Sequence, residues 1–447
     1  MTKSNRLPEA GTLGSACDIN PPRAKIGGLG DDTAVLFVPM SAVDDETGTV
    51  AELQLRRLGE LRNKSYTSFA ANDVLFAKIT PCMENGKAAV VPPIASGIGY
   101  GSTEFHVLRP NPGVNPRFIW HFVRQASFRN MAKEHMTSSV GQARVPAWVL
   151  QDAPIVIPSE SRQSEIVATL DHASEIHHRA AAHLVTAQRA IARFRQAILV
   201  AACSGDLTDD WRRRREPLAA DMVKEPPPQE ANSHSENLPP TWKRVTIGEI
   251  AEVKVGGTPS RHEPSYWKGQ IAWVSSGEVA NCRIVTTSER ITPTGLAHSN
   301  AKLHPPRTVL IAMIGEGKTR GQSAILDISA ATNQNVAAVL PNPRVARSEY
   351  VWRWALAQYE ITRAVGRGGN QPALNGQKVR ELSIPVPPLE EQDEIVRRVD
   401  TLLAQADSIE QRVRLVATRL DKVSRAVLGS ALGNGMDRAA ATAWAQG

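Results

Sequence analysis

Gln163-Ser-Glu-Ile-Val167 returns 229 residues later as Gln392-Asp-Glu-Ile-Val396. At that offset, and without a gap, Ile155 meets Ile384, Pro158 meets Pro387 and Asp171 meets Asp400. Further on, Ala197 and Leu199 meet Ala426 and Leu428. Self-similarity at a fixed period marks a duplicated structural unit.

The two matched stretches share a periodicity as well as residues. In the first, a 3-4 spacing picks out Ile166, Leu170, Ala173, His177, Ala180, Leu184, Ala187, Ile191, Phe194 and Ile198. In the second it picks out Ile395, Val399, Leu402, Ala406, Ile409, Val413, Val416, Leu420, Val423 and Val427. Such a repeat is the pattern of a coiled-coil seam, and no proline interrupts either run. Each helix is expected to begin just after a proline-bearing strand end, Ile155-Val-Ile-Pro158 or Ile384-Pro-Val-Pro-Pro388. From Ile166 to Ile198 such a helix is roughly 48 Å long, at ~1.5 Å per residue. Two of them in one chain are natural partners for each other, as an antiparallel spacer.

Outward from the helices the correspondence loosens but persists. Asp73-Val-Leu-Phe-Ala-Lys-Ile79 resembles Thr308-Val-Leu-Ile-Ala-Met-Ile314, a buried strand by its β-branched run. Phe118-Ile-Trp120 matches Tyr350-Val-Trp352 at offset 232, and Leu13-Gly14 echoes Ile247-Gly248. The expected fold is α+β: two α/β recognition domains, each followed by a long helix, the helices forming an antiparallel coiled coil with pseudo-twofold symmetry. The expected boundaries are 1–158 and 238–388 for the domains, 159–204 and 389–432 for the helices, 205–237 for an exposed linker and 433–447 for a flexible tail. The linker carries Arg212 to Arg215 and Pro226-Pro-Pro228.

Composition narrows the class of function. The net charge is +7 and the pI about 9.3, which favours a polyanionic partner. No apolar run suits a membrane span, and the start of the chain lacks the apolar core of a signal peptide. Cys17, Cys82, Cys203 and Cys282 lie far apart and form neither a zinc pattern nor a disulfide framework. A cytoplasmic location fits this cysteine usage.

At these residues the chain resembles the specificity subunit of type I restriction-modification systems, over nearly its full length. The likeness rests on Leu-Pro-Pro-Thr-Trp-Lys at 238–243, Gly256-Gly-Thr-Pro259, the stretch Asp73 to Lys87, and Pro387-Pro-Leu-Glu-Glu-Gln-Asp-Glu-Ile-Val396. The resemblance implies two target-recognition domains on paired spacer helices that bind two modification (methyltransferase) subunits, with restriction (motor-nuclease) subunits completing the assembly on double-stranded DNA. It implies no cofactor in this chain, with S-adenosylmethionine, ATP and Mg on the partner subunits. The first copy departs from the family pattern, carrying Ser159-Glu-Ser-Arg162 where proline and acidic residues usually precede the glutamine.

Motifs that imitate catalytic sites are each incomplete. Asn20-Pro-Pro-Arg23 is similar to the Asn-Pro-Pro-aromatic loop of adenine methyltransferases, but Arg23 stands where an aromatic ring stacks on the flipped base. Gly315-Glu-Gly-Lys-Thr319 imitates a P-loop, with Ala312 where the first glycine belongs. Glu316 and Lys318 form a bare Glu-x-Lys without an upstream aspartate, and His172, His177, His178 and His183 include no pair spaced by four. The chain therefore reads as non-catalytic, with no metal site.

Loop cations and amides remain as candidate DNA contacts. In the first domain these are Arg23, Lys25, Lys64, Lys78, Asn85, Lys87 and Arg144; in the second, Lys254, Arg261, Lys268, Lys318, Arg320, Arg367, Asn370 and Gln371. Arg and Lys suit phosphates and guanine edges, Asn and Gln suit adenine. The expected function is recognition of an asymmetric bipartite DNA target, directing adenine methylation and restriction by the partners. The rival readings are a stand-alone DNA-modifying enzyme and a coiled-coil scaffold without DNA contact.

Overall fold

The computed structural model describes residues 9–23, 28–45, 47–50, 54–139, 142–215, 238–315, 317–364 and 374–432. It divides into two units, Met1–Leu184 with Leu415–Gly447, and Val185–Arg414. The boundaries cut through both long helices, Glu160–Ser204 and Leu389–Ala431. Each helix therefore belongs in part to each unit.

In the first unit, strand Glu9–Thr12 pairs antiparallel with Pro154–Ile157 and closes the domain at its two ends. Between them an antiparallel sheet runs in the order Cys17–Ile19, Phe105–Pro110, Val74–Ala77, Ala88–Val90. The residues Val74, Leu75, Phe76 and Ala77 are all buried, as expected of a strand covered on both faces. One face packs on helices Pro116–Val123 and Ala126–Glu134, through Phe118, Trp120, Phe122 and Phe128. Asn115 caps the first of these helices, with Pro116 at its first position. A second sheet is built from Gln54–Arg57, Ala34–Val38, Gly99–Gly101 and Thr67–Phe69.

The second unit repeats this plan. Lys243–Thr246 pairs with Ser383–Val386. Ala251–Val255, Val336–Pro341, Val309–Ala312, Ser323–Leu326 and Cys282–Ile284 form the first sheet, and Glu289–Ile291, Trp267–Val274, Ala330–Thr332 and Leu303–His304 the second. Helix Ser348–Ala357 takes the place of Pro116–Val123 and buries Tyr350, Val351, Trp352 and Trp354. Gly256 and Gly257 let the backbone pass against Thr332 and Asn300, where a Cβ on either would collide with main-chain atoms.

The repeat extends to single atoms at the start of each long helix. Gln163 accepts from the Asn115 amide at 2.8 Å and donates to the carbonyls of Gly113 and Pro158 at 3.0 and 2.9 Å. Gln392 accepts from Arg347 at 2.7 Å and donates to Val345 and Pro387 at 3.0 and 2.8 Å. Both glutamines are buried, and each ties its helix to the loop entering the domain's own helix.

Within each unit the two helix segments run antiparallel. In the first, Ile166 and Leu170 share a core with Val427, Leu428 and Ala431, while His177 reaches Ser424 at 2.7 Å. In the second, Ile198, Leu199 and Ala202 share a core with Ile395, Val399 and Leu402, and Arg195 reaches Asp407 and Glu410 at 2.5 and 2.7 Å. Of the expected seam, Ile166, Leu170, Ile191, Ile198, Ile395 and Val399 are buried, and Leu184, Leu402, Val413, Leu420 and Val427 are partly covered.

Phe194 and Ile409 are corrections: both are exposed, as are Val416 and Val423. The covered series on the second helix is Ile395, Val399, Leu402, Ala406, Glu410, Val413, Ala417, Leu420, Ser424, Val427 and Ala431. That series advances by the 3.6 residues of a straight helix, whereas a strict heptad drifts by ~20° each repeat. The drift brings Glu410 and Arg195 inward, one residue beyond Ile409 and Phe194.

The segment after the first helix is also more ordered than a linker. Asp209–Arg215 is helical, and its arginines are ion-paired: Arg212 to buried Glu391, Arg213 to Asp209, Arg214 to Asp210, Arg215 to Glu390. Residues 216–237 and the tail 433–447 lie outside the described residues.

Candidate nucleic-acid interface

The Asn20-Pro-Pro-Arg23 loop serves architecture. Asn20 takes a left-handed φ of 53°, its Oδ1 accepts from the Val107 amide at 3.0 Å, and its side chain meets His106. The Arg23 guanidinium donates to the carbonyls of Arg62, Lys64 and Tyr66. Arg23 thus shapes the turn that presents exposed Lys64. Lys25 lies outside the described residues.

Lys78, Arg144 and Glu104 gather at one edge of the first domain. Lys78 follows the strand Val74–Ala77, and its amide donates to the Glu104 carbonyl at 2.9 Å. Arg144 grips the Glu104 carboxylate with Nε and Nη2 at 3.0 and 2.8 Å. That bond, set against desolvation and reinforced by the charges of Arg144 and Lys78, holds the Glu104 carboxyl below its usual range. His106 sits behind them, buried, with Nε2 on the Val145 carbonyl at 2.8 Å; burial is the main cause of its lowered pKa. Asn85 is exposed on the turn that follows, while Lys87 is half-buried with Nζ 3.5 Å from the Met40 carbonyl.

In the second domain Arg261 lies flat on Trp267, its guanidinium carbon 3.8 Å from the ring centre and 5.3 Å from that of Trp273. Glu289 accepts from it with both oxygens, one at 2.9 Å, and the pairing depresses the Glu289 carboxyl. The indoles are themselves fixed, Trp267 on the Ser260 carbonyl and Trp273 on Gly257, each at 3.0 Å. An aromatic plate, a guanidinium and a carboxylate thus stand beside the Gly256-Gly-Thr-Pro259 turn. Lys254 pairs with Glu252 at 2.9 Å. Lys268, at φ 60°, is exposed.

Lys318 is exposed and Arg320 half-buried in the turn joining Val309–Ala312 to Ser323–Leu326. The Tyr359 hydroxyl braces this turn by donating to the Lys318 carbonyl at 2.6 Å. The connection is a β-hairpin, so the glycine-lysine motif opens no helix and cannot wrap phosphates as a P-loop does. Glu316, Arg367, Asn370 and Gln371 lie outside the described residues. Among those described, no three metal-capable side chains converge, and no helix is long and apolar enough to cross a membrane.

The structure therefore sorts the candidates. Arg144, Lys254 and Arg261 already have carboxylate partners, whereas Lys64, Lys268 and Lys318 are exposed and make no ion pair with a described residue. Trp267, Glu289 and Glu104 were not among the expected site residues. The pair of tryptophans six positions apart, downstream of Arg261, is the signal that could have found the first of them.

Comparison with known proteins agrees with this architecture. Residues 239–417 match the type I restriction modification DNA specificity domain. The chain is 36% identical over 159 residues to the type I restriction enzyme EcoEI specificity subunit of Escherichia coli, a match covering 35% of this chain and 26% of that one. The match thus spans about a quarter of that relative's length. Over 95% of its length the fold matches 97% of a chain solved in work on complex assembly and conformational transition of the type I R-M system, at 19% identity and a TM-score of 0.73. It matches the HsdS subunit from Thermoanaerobacter tengcongensis at 19% identity and a TM-score of 0.60, covering 95% of this chain and 96% of that one.

Proposed function

We propose that this chain is a specificity subunit of a type I restriction-modification system, which reads a two-part DNA target and carries no catalytic centre of its own; the matched domain over 239–417 and the similar specificity subunits support this reading. Each recognition domain takes one half-site. The halves differ because the two domains present different side chains from the same frame: Lys64, Lys78 and Asn85 from one, Lys268, Lys318 and Arg320 from the other. The two long helices, each shared by both units, set the number of unread base pairs between the halves. Modification subunits bind the helices and perform adenine methylation with S-adenosylmethionine; restriction subunits, using ATP and Mg, cleave.

The observation that carries this reading is the atom-for-atom recurrence of the Gln163 and Gln392 anchors, which mounts two divergent domains on their helices in the same way. Methylome sequencing of cells expressing the chain with its modification subunits tests it. One asymmetric motif, split by a fixed gap of unread bases, is expected. A palindromic or continuous motif would refute it. Salt titration of DNA affinity separates the reading from a scaffold, because phosphate neutralisation makes log K fall steeply with log salt.

A further inference from the structure

The internal repeat supplies a control for one cavity. In the first unit a space of about 340 Å³ opens between Trp120, Arg124, Arg129, Ser174, His177 and Leu428. In the second unit the same offsets place Leu356 for Arg124, Leu403 for Ser174, Ala406 for His177 and Leu199 for Leu428. Leu356, Leu403 and Leu199 pack into the core there. The same frame is therefore plugged with hydrocarbon in one copy and left open, with a cationic wall, in the other.

Within that wall it is Arg129 whose guanidinium is incompletely answered. Arg129 donates through Nη1 to the Glu84 carbonyl, but its Nε is buried with no acceptor. No carboxylate among the described residues pairs with Arg129, since Glu84 is held by Lys133 at 2.6 Å. Desolvation accordingly lowers its pKa. Arg124 lies over the Trp120 ring at 4.4 Å and donates to the Asp45 carbonyl at 2.7 Å. Facing them, Leu428 and the neighbouring Leu170 and Val427 supply an apolar floor. A half-buried guanidinium above hydrocarbon calls for a carboxylate on a short apolar stem.

We propose that this cavity is a socket for an acidic side chain on a partner subunit's helix, with the carboxylate set on Arg129 and its methylenes on Leu428. The second unit has no such socket, so the chain holds its two partner copies unequally. The identity of that partner as a modification subunit rests on the function proposed above.

The test is a native mass spectrometry titration of the full chain with its modification subunit, resolving first and second binding steps. Two variants are compared with wild type: Arg129→Met, and Ser174→Leu, which borrows the second unit's residue and leaves Arg129 in place. Wild type binds two partners. Each variant weakens one step by about tenfold, the equivalent of ~1.4 kcal/mol, and leaves the other within about twofold. Both steps unchanged, or both weakened alike, overturns the socket while the function stands. A wild-type chain that binds no modification subunit fails the function, and the socket with it. Free glutarate that raises the melting temperature of wild type but not of Arg129→Met would assign the site to a small dicarboxylate and overturn the partner helix.

Discussion

The Glu391 carboxylate lies 2.5 Å from the Arg212 guanidinium and is almost wholly buried. It also accepts from the Thr208 hydroxyl at 2.7 Å and the Trp242 indole at 2.9 Å. One carboxylate thereby fastens the end of the first helix, the short helix after it and the entry to the second domain. The equivalent residue of the first copy is Arg162, exposed and, among the described residues, ion-paired with Glu165 alone. Removing Glu391 leaves the covered Arg212 guanidinium without its close carboxylate, with Asp209 farther off at 3.6 Å. Glu391→Ala should cost about 3–5 kcal/mol in urea unfolding, and Glu391→Gln, which keeps hydrogen-bonding capacity, clearly less. Equal losses would show that charge is irrelevant to this junction.

Gln163→Ala and Gln392→Ala should behave as matched substitutions. Each removes three buried hydrogen bonds and leaves two carbonyls and an amide unanswered, for a loss of about 2–4 kcal/mol. Hydrogen exchange read by mass spectrometry should show faster exchange around 113–119 for the first and around 345–351 for the second. Exchange that rises equally in both units after either change would contradict two separately anchored domains.

Acid should destabilise the chain through its buried histidines. Burial pushes His121 and His304 down to about 4 from an ordinary value of 6.5, and lowers His106 as well. Because the folded value lies below the unfolded one, the unfolded chain binds the extra proton. This stability is complete above pH 6.5 and is lost as the pH falls from 6.5 through about 4. His121 donates to Asp171 at 2.8 Å, but neither ring nitrogen of His304 has a hydrogen-bond partner. His304→Leu therefore removes the titration without breaking a bond, and its urea midpoint should fall less than wild type's between pH 7 and 4. Parallel profiles would contradict this assignment.

Binding to DNA should separate exposed cations from committed ones. Lys268→Ala and Lys318→Ala should each reduce the slope of log K against log salt by about one, for a phosphate contact. Arg23→Ala should leave that slope unchanged and instead accelerate hydrogen exchange across 62–66, where its carbonyl partners lie. A slope that responds to Arg23 alone would return it to the interface.

The duplication, both long helices and the strands Val74–Ala77 and Val309–Ala312 were legible because they depend on local periodicity and on a repeat visible in the chain itself. The phase of the helix pair was not. A strict heptad places Phe194 and Ile409 inside, but helices of ordinary pitch drift past that register and bring in Arg195 and Glu410. Site roles were less legible still, because a side chain's availability is set by partners distant in sequence. Glu104 neutralises Arg144 and Glu289 neutralises Arg261, each from another strand or loop, while Arg23 is occupied by three carbonyls. Nothing in the identity of an arginine distinguishes these from a free one.

The central claim, that the helices set the unread gap and the domains set the bases, is tested most directly by excising 180–186 from the first helix and 413–419 from the second. The shortened chain would be expressed with its modification subunits and the methylome sequenced. The account predicts the same two half-sites with fewer bases between them. Altered half-sites at an unchanged gap would contradict it.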